Sequence, residues 1–268
     1  MSKRKAIFIS GGGSGIGRAI ARHFGNRGWF VGLGDIDRLG MEGTQDGLPR
    51  GYSYVHDLDV RDREAWGAAL ATFSRAAGGR IDVVVNNAGI PVGGSLSDVS
   101  TEEIERCLDI NLKGVLFGAQ AAFPHLKEAA PGSCLLNIAS AAGIYGSAGM
   151  SVYCATKFGV RGITESLDAE WAEHGIKVCD LMPSFIETPL LDKLPNAQTN
   201  EAVRDRVVGA GLEITPVEDV AEAAWNAVHG DKLHTTVGKT AKQLRFAARW
   251  MPGRLRKMSR GNTQPLAR

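Results

Sequence analysis

Cysteine is scarce in this chain. It occurs four times in 268 residues, as Cys107, Cys134, Cys154 and Cys179, and never as CxxC. That scatter excludes a disulfide framework and a thiolate zinc site. Small buried side chains are the reading for all four. The six histidines are equally dispersed, so no metal site and no catalytic histidine is expected. A bilayer-length apolar run is missing too. The basic start, Met1-Ser-Lys-Arg-Lys5, leads into only four apolar residues before glycines, too few for a signal-peptide core. The cytoplasm is the expected compartment. Neither sign of charge is in excess: the formal net charge is +2, which offers no global field for nucleic acid. The remaining composition, 44% apolar and 22% charged, is ordinary for a globular protein.

What is present is an alternation of short apolar runs with amphipathic stretches. Strands are predicted at 5–9, 29–33, 52–56, 81–85, 134–138 and 176–181. Helices are predicted at 16–27, 61–77, 102–127, 152–173 and 218–229. Near-continuous apolar strands alternating with helices imply an α/β fold: a doubly wound parallel sheet, Rossmann-like, covered by helices on both faces. No linker or composition break divides the first two-thirds, and residues 1–238 read as one domain. The least periodic stretch, about 183–211, reads as a substrate loop carrying a short helix. It follows a strand's carboxyl end, the edge where ligands bind in such sheets.

Strand 1 runs into Ser10-Gly-Gly-Gly-Ser-Gly-Ile-Gly17, and a helix follows. Glycines allow a sharp turn and close approach of backbone to a pyrophosphate, and the helix N-terminus supplies unpaired N–H groups. A flexible glycine loop without ligand is the bland alternative. The next strand ends at Asp35, where a carboxylate accepts hydrogen bonds from an adenosine ribose and repels a 2′-phosphate. With Ser at position 14, this favours NAD over NADP, although Arg38 lies nearby; alternatively, Asp35 merely caps a turn. Further on, Tyr153 and Lys157 are four residues apart, one helical turn, with Ser140 thirteen residues before the tyrosine. A cation beside a phenol lowers its pKa from about 10 toward working pH and prepares it to exchange a proton with an alcohol oxygen.

Five elements in order resemble the short-chain dehydrogenase/reductase family, in its compact single-domain branch: the turn from Ser10 to Gly17, Asn86-Asn-Ala-Gly89, Asn111, Ser140, and Tyr153 with Lys157. The similarity spans residues 5–238. Ser10 stands where threonine is commoner, and Ser184 where the family has glycine. The resemblance implies that Tyr153 exchanges the proton and Ser140 orients the substrate oxygen. It implies that Lys157 lowers the tyrosine pKa and holds the ribose, and that Asn111 anchors a water linking Lys157 to solvent. It further implies a dinucleotide held by Gly11, Ser14, Gly15, Ile16, Gly17, Asp35, Asp59, Val60, Asn87, Ala88, Gly89, Tyr153, Lys157, Pro183, Ile186 and Thr188. Each residue has a bland alternative. Tyr153 reads equally as a half-buried aromatic, Lys157 as a solvated charge, Ser140 as a turn former, Asn111 as a helix-bending polar group and Asp59 as a helix N-cap.

The reading that results is an NAD-dependent oxidoreductase interconverting a mostly apolar secondary alcohol and its ketone. The apolar preference rests on Ile144, Tyr145, Met150, Phe185, Ile186, Leu190 and Leu191. Two others stand beside it: a β-ketoacyl-thioester reductase of the same fold, and a non-catalytic dinucleotide sensor. The family usually pairs through its two long helices, so a homodimer or homotetramer is expected. The tail, 239–268, contains no Asp or Glu. In projection Lys242, Arg245, Arg249, Arg256 and Arg260 share one side and Leu244, Ala248, Met251, Leu255 and Met258 another, with a break at Pro252-Gly253. Packing on the domain or on a sister subunit is favoured over peripheral membrane contact.

Overall fold

Successive residues of the first strand, β1 (Ala6–Ser10), point to opposite faces, yet all five are buried. That requires cover on both sides. In the computed structural model, which describes residues 4–192 and 202–261, Ile7 and Ile9 join one core and Phe8 the other. The same division runs through β2 (Phe30–Asp35), β4 (Val83–Asn86), β5 (Ser133–Ile138) and β6 (Ile176–Pro183). With β3 (Ser53–Asp57) and β9 (His234–Val237) they form a seven-stranded, all-parallel sheet in the order β3-β2-β1-β4-β5-β6-β9. Helices α1 (Gly15–Gly25) and α8 (Val217–His229) bury Ile20, Phe24, Val220 and Ala224 on one face. On the other face, α3 (Arg63–Ala76), α5 (Gly114–Ala129) and α6 (Ser151–Trp171) bury Trp66, Phe73, Leu126 and Trp171. The doubly wound architecture expected from the alternation is therefore present.

The boundaries move by a few residues. β2 begins at Phe30 and reaches Asp35, β4 runs to Asn86, and α3 starts at Arg63 because Asp62 accepts from the Glu64 and Ala65 N–H groups. The helix predicted over 102–127 is not uniform. A capping box of Ser100 and Glu103 starts α4 (Thr101–Leu108), a π-helical turn follows at Asp109–Lys113, and α5 continues. The π turn leaves the apolar period intact on either side, so the pattern does not register it. Two elements of the main layers escaped prediction. Helix α2 (Arg38–Gln45) is short and polar, and β9 has a weakly apolar sequence.

The stretch after β6 is more ordered than a loop. A two-strand pair joins β7 (Phe185–Ile186) to β8 (Ile214–Thr215), a 3-10 turn spans Pro189–Asp192, and α7 (Val203–Gly209) follows. Part of the predicted substrate loop, residues 193–201, lies outside the described residues. The tail forms α9 (Lys239–Trp250) and α10 (Pro252–Gly261), with the break where Pro252-Gly253 predicts it. Helix α9 lays Ala241, Leu244 and Ala248 on a small core with Ala139, Ala141 and Met182. Of the two packing readings, the one seen for this face is cover for its own domain. No helix among the described residues is long and apolar enough to cross a membrane.

Candidate active site

The strand order reverses between β1 and β4, so the chain diverges there and opens a crevice at their carboxyl ends. Ser10 stitches the two sides together. Its hydroxyl donates to the Val85 carbonyl (3.3 Å) and accepts from the N–H of Asn87 (3.0 Å) and Ala88 (3.2 Å). A hydroxyl is all these bonds need, which explains why Ser serves where threonine is commoner. The Asn87 carboxamide donates to the Ser10 and Gly11 carbonyls at 2.9 and 3.1 Å. Gly11 has φ +67°, and a Cβ there would lie 2.9 Å from the Ala88 Cα. At Gly17 a Cβ would lie 2.1 Å from the Gly11 carbonyl oxygen. Only glycine lets α1 come this close beneath the turn.

The first turn of α1 is built to face an anion. Its N-cap, Ser14, is extended and exposed and makes no side-chain cap bond, so the turn's N–H groups keep their donors. No acid lies in that turn. Behind it, Arg18 donates from its guanidinium to the Gly13 and Gly40 carbonyls and to Thr44 Oγ1, and Thr44 donates to the Gly12 carbonyl. Arg18 and Thr44 brace the glycine turn, and the sequence does not single them out. They are 26 positions apart, with no shared motif. Asp35, at the end of β2, accepts from the Gly13 N–H (2.9 Å) and the Asp37 N–H (3.1 Å). The nearby Arg38 is engaged by Glu42 and Asp57.

Asp59 is not the N-cap of α3; Asp62 is. Asp59 instead accepts from the backbone and guanidinium of Arg61, which holds its carboxyl below the usual range. Val60 is buried against Gly114. Across the crevice Thr188 rests on the glycine turn: a Cβ at Gly15 would sit 3.3 Å from it, and its hydroxyl donates to the Ile186 carbonyl. Ser184 does not disturb this turn, because its N–H reaches the Val237 carbonyl at 3.1 Å, and Pro183 ends β6 as a paired residue.

Ser140, Tyr153 and Lys157 converge at the same sheet edge. Ser140 follows β5, and its hydroxyl accepts from the Ala142 N–H (3.1 Å), starting a 3-10 turn at Ala141–Gly143. Tyr153 and Lys157 share the first two turns of α6. The Lys157 ammonium is 5.6 Å from the Tyr153 ring centre and donates to the Ile138 carbonyl at 2.9 Å. A Cβ at Gly89 would be 3.7 Å from that ammonium, so the Gly89 backbone is adjacent. Asn111 lies on the π turn, fully buried, but its carboxamide is occupied: it accepts from the Ile90 N–H (2.8 Å) and donates to the Ile90 carbonyl (2.9 Å). The side chain thus clamps the segment after β4 that carries Gly89.

The electrostatics correct one expectation. Burial pushes the Tyr153 phenol up to about 12, against the downward effect of a Ser140 hydrogen bond. It pushes the Lys157 ammonium down to about 8. In this pocket desolvation is the largest influence on both groups. The phenol is a protonated group at neutral pH, held beside an ammonium. Of the apolar residues expected around the pocket, Ile144, Ile186 and Leu191 are core, while Tyr145, Met150, Phe185 and Leu190 remain half-buried.

Comparison with known proteins finds relatives in sequence and in fold. The family model described as short chain dehydrogenase matches residues 5–199. A 3-alpha-(or 20-beta)-hydroxysteroid dehydrogenase of Mycobacterium bovis is 40% identical over 71% of this chain and 72% of its own. The 3-oxoacyl-[acyl-carrier-protein] reductase of Thermotoga maritima is 36% identical over 74% and 81%. Among solved structures, a 3-ketoacyl-(acyl-carrier-protein) reductase from Brucella melitensis complexed with NADH superposes with a TM-score of 0.76 at 28% identity, covering 87% of this chain and 96% of that one.

Proposed function

The chain belongs to the short-chain dehydrogenase family and is an oxidoreductase of it, and from that premise we propose that it interconverts a mostly apolar secondary alcohol and its ketone with NAD. One observation carries the proposal: Ser140, Tyr153 and Lys157 gather at the sheet edge beside Gly89, facing the crevice that the glycine turn opens. The residues present fit a dinucleotide. The donor-rich start of α1 suits a pyrophosphate, with Gly11, Ser14, Gly15, Ile16 and Gly17 around it. Asp35 suits ribose hydroxyls and disfavours a 2′-phosphate. Asp59 and Val60 flank the adenine side. Asn87, Ala88 and Gly89 form one wall of the nicotinamide side, and Pro183, Ile186 and Thr188 form the other.

A bound nicotinamide supplies or accepts the hydride. The chain's own residues manage the proton. Ser140 Oγ donates to the substrate oxygen and fixes its direction. Tyr153 Oη, protonated at neutral pH, passes its proton to that oxygen as the carbonyl becomes an alcohol, and recovers it in the reverse direction. Lys157, an ammonium below about pH 8, stabilises the phenolate so formed. Asn111 acts through Ile90 as a positioning residue for the Gly89 segment.

The apolar substrate class draws support from the half-buried Tyr145, Met150, Phe185 and Leu190, and from the mycobacterial relative that is named for hydroxysteroids. A β-ketoacyl-thioester reductase is the second reading, favoured by the acyl-carrier reductases among the similar proteins. Four free, buried thiols suit a reducing compartment, and we place the protein in the cytoplasm. The deciding experiment is a panel of apolar ketones, diols and β-ketoacyl thioesters, read by nicotinamide absorbance with NADH and NADPH. Turnover of the apolar ketones with NADH is expected. Dinucleotide binding with no turnover across the panel would leave a sensor.

A further inference from the structure

Helix α9 has two faces of opposite character. Ala241, Leu244 and Ala248 are packed on the domain, against the 3-10 turn that follows Ser140. The opposite stripe, at positions i, i+3, i+7, i+10 and i+11, is Lys239, Lys242, Phe246, Arg249 and Trp250. On it the two large aromatics stand in solvent, Phe246 59% and Trp250 67% exposed. After the break α10 turns Leu255 inward and leaves Met258 58% exposed, again among cations. Residues 239–268 hold nine lysines and arginines and no acid.

We propose that α9 and α10 form a docking surface for an anionic lipid bilayer, with Phe246 and Trp250 inserted at the headgroup level and Lys242 and Arg249 paired to lipid phosphates. An inward face glued to the domain and an outward face of aromatics ringed by cations is the pattern of a helix lying in a membrane interface. A second copy of the chain is a poor occupant, because a two-fold contact through this face would bring like charges such as Lys242 and Arg249 together. The surface goes beyond the redox reading and does not depend on it. It also fixes the orientation of the bound protein, since α9 is anchored on the turn beside the catalytic serine.

The test uses the full chain, sedimented at low salt with phosphatidylglycerol vesicles and with phosphatidylcholine vesicles. Pelleting with the first and not the second is expected, falling as salt rises. Lys242→Glu and Arg249→Glu should each lower partitioning at least about fivefold. The double variant Phe246→Ser/Trp250→Ser should lower it about tenfold or more, while keeping the melting profile and the turnover of a water-soluble substrate. Equal pelleting with both vesicles, no pelleting with either, or a serine double variant that binds like wild type would overturn the proposal. A loss of oligomer mass in that variant by light scattering, without vesicle binding of the wild type, would assign the face to a sister subunit instead.

Discussion

At the scale of single residues, the buried pair of Tyr153 and Lys157 links activity to stability. Tyr153→Phe removes the proton donor and little else. Dinucleotide binding should persist while kcat falls about 10²- to 10⁴-fold, measured by titration of the cofactor and by steady-state turnover. Lys157 makes a different prediction. Its folded-state pKa is depressed to about 8 from 10.5, so between those values the unfolded chain binds more protons and stability rises with pH. Below about pH 8 the fold carries a buried charge at a cost on the order of 3 kcal/mol. Tyr153, raised to about 12 from 10, acts in the opposite sense above pH 10, because there the folded state holds its proton longer. Lys157→Met should therefore stabilise the protein at pH 7, lose the rise between pH 8 and 10, and lose activity; urea unfolding at a series of pH values reads the first two. Asp35→Ala should raise the KM for NADH about ten- to a hundredfold and leave that for NADPH unchanged or lower. An unaltered ratio would place cofactor choice elsewhere.

At the scale of elements, the glycine turn and α1 act as a unit. Gly17→Ala forces a methyl group onto the Gly11 carbonyl at 2.1 Å, so α1 must shift and carry its N–H groups away from the crevice. Dinucleotide affinity and melting temperature should fall together. A control sits on α3: Gly67 is exposed in mid-helix with nothing within 4 Å of an added Cβ, so Gly67→Ala should stabilise by about 1 kcal/mol and leave affinity alone. Differential scanning calorimetry and cofactor titration of both variants separate loss of the cradle from loss of the fold. The π turn at Asp109–Lys113 belongs to this scale as well. It sets Asn111 on the core side of the α4–α5 helix, where its carboxamide grips both backbone groups of Ile90.

At the scale of the whole molecule, α4, α5 and α6 leave Leu108, Leu116 and Phe158 exposed by 37%, 42% and 42%. These are the helices through which pairing is proposed, and apolar side chains of this size on neighbouring helices suit an isologous contact. Leu116→Asp combined with Phe158→Asp should halve the mass or more in analytical ultracentrifugation without unfolding the monomer. An unchanged mass would move the interface to another face. The two surfaces are probed by different variants and different readouts, mass for assembly and vesicle pelleting for lipid docking.

The parallel sheet was legible in the sequence because doubly covered strands must be largely apolar, and β1, β4 and β5 carry near-continuous apolar runs. The glycine turn was legible because close backbone approach tolerates no side chain, a requirement written in residue type. The Tyr153–Lys157 spacing was legible because a helical turn is a local distance. The direction of the Tyr153 shift was not, because desolvation depends on what strands and loops from elsewhere lay over the phenol. Nor was the clamp of Asn111 on Ile90, made across 21 positions by a turn with no periodic signature. Residue chemistry and local spacing thus determined the fold class and the candidate groups. Burial, which only the assembled tertiary structure sets, decided their protonation, their partners, and which face of the basic tail looks outward.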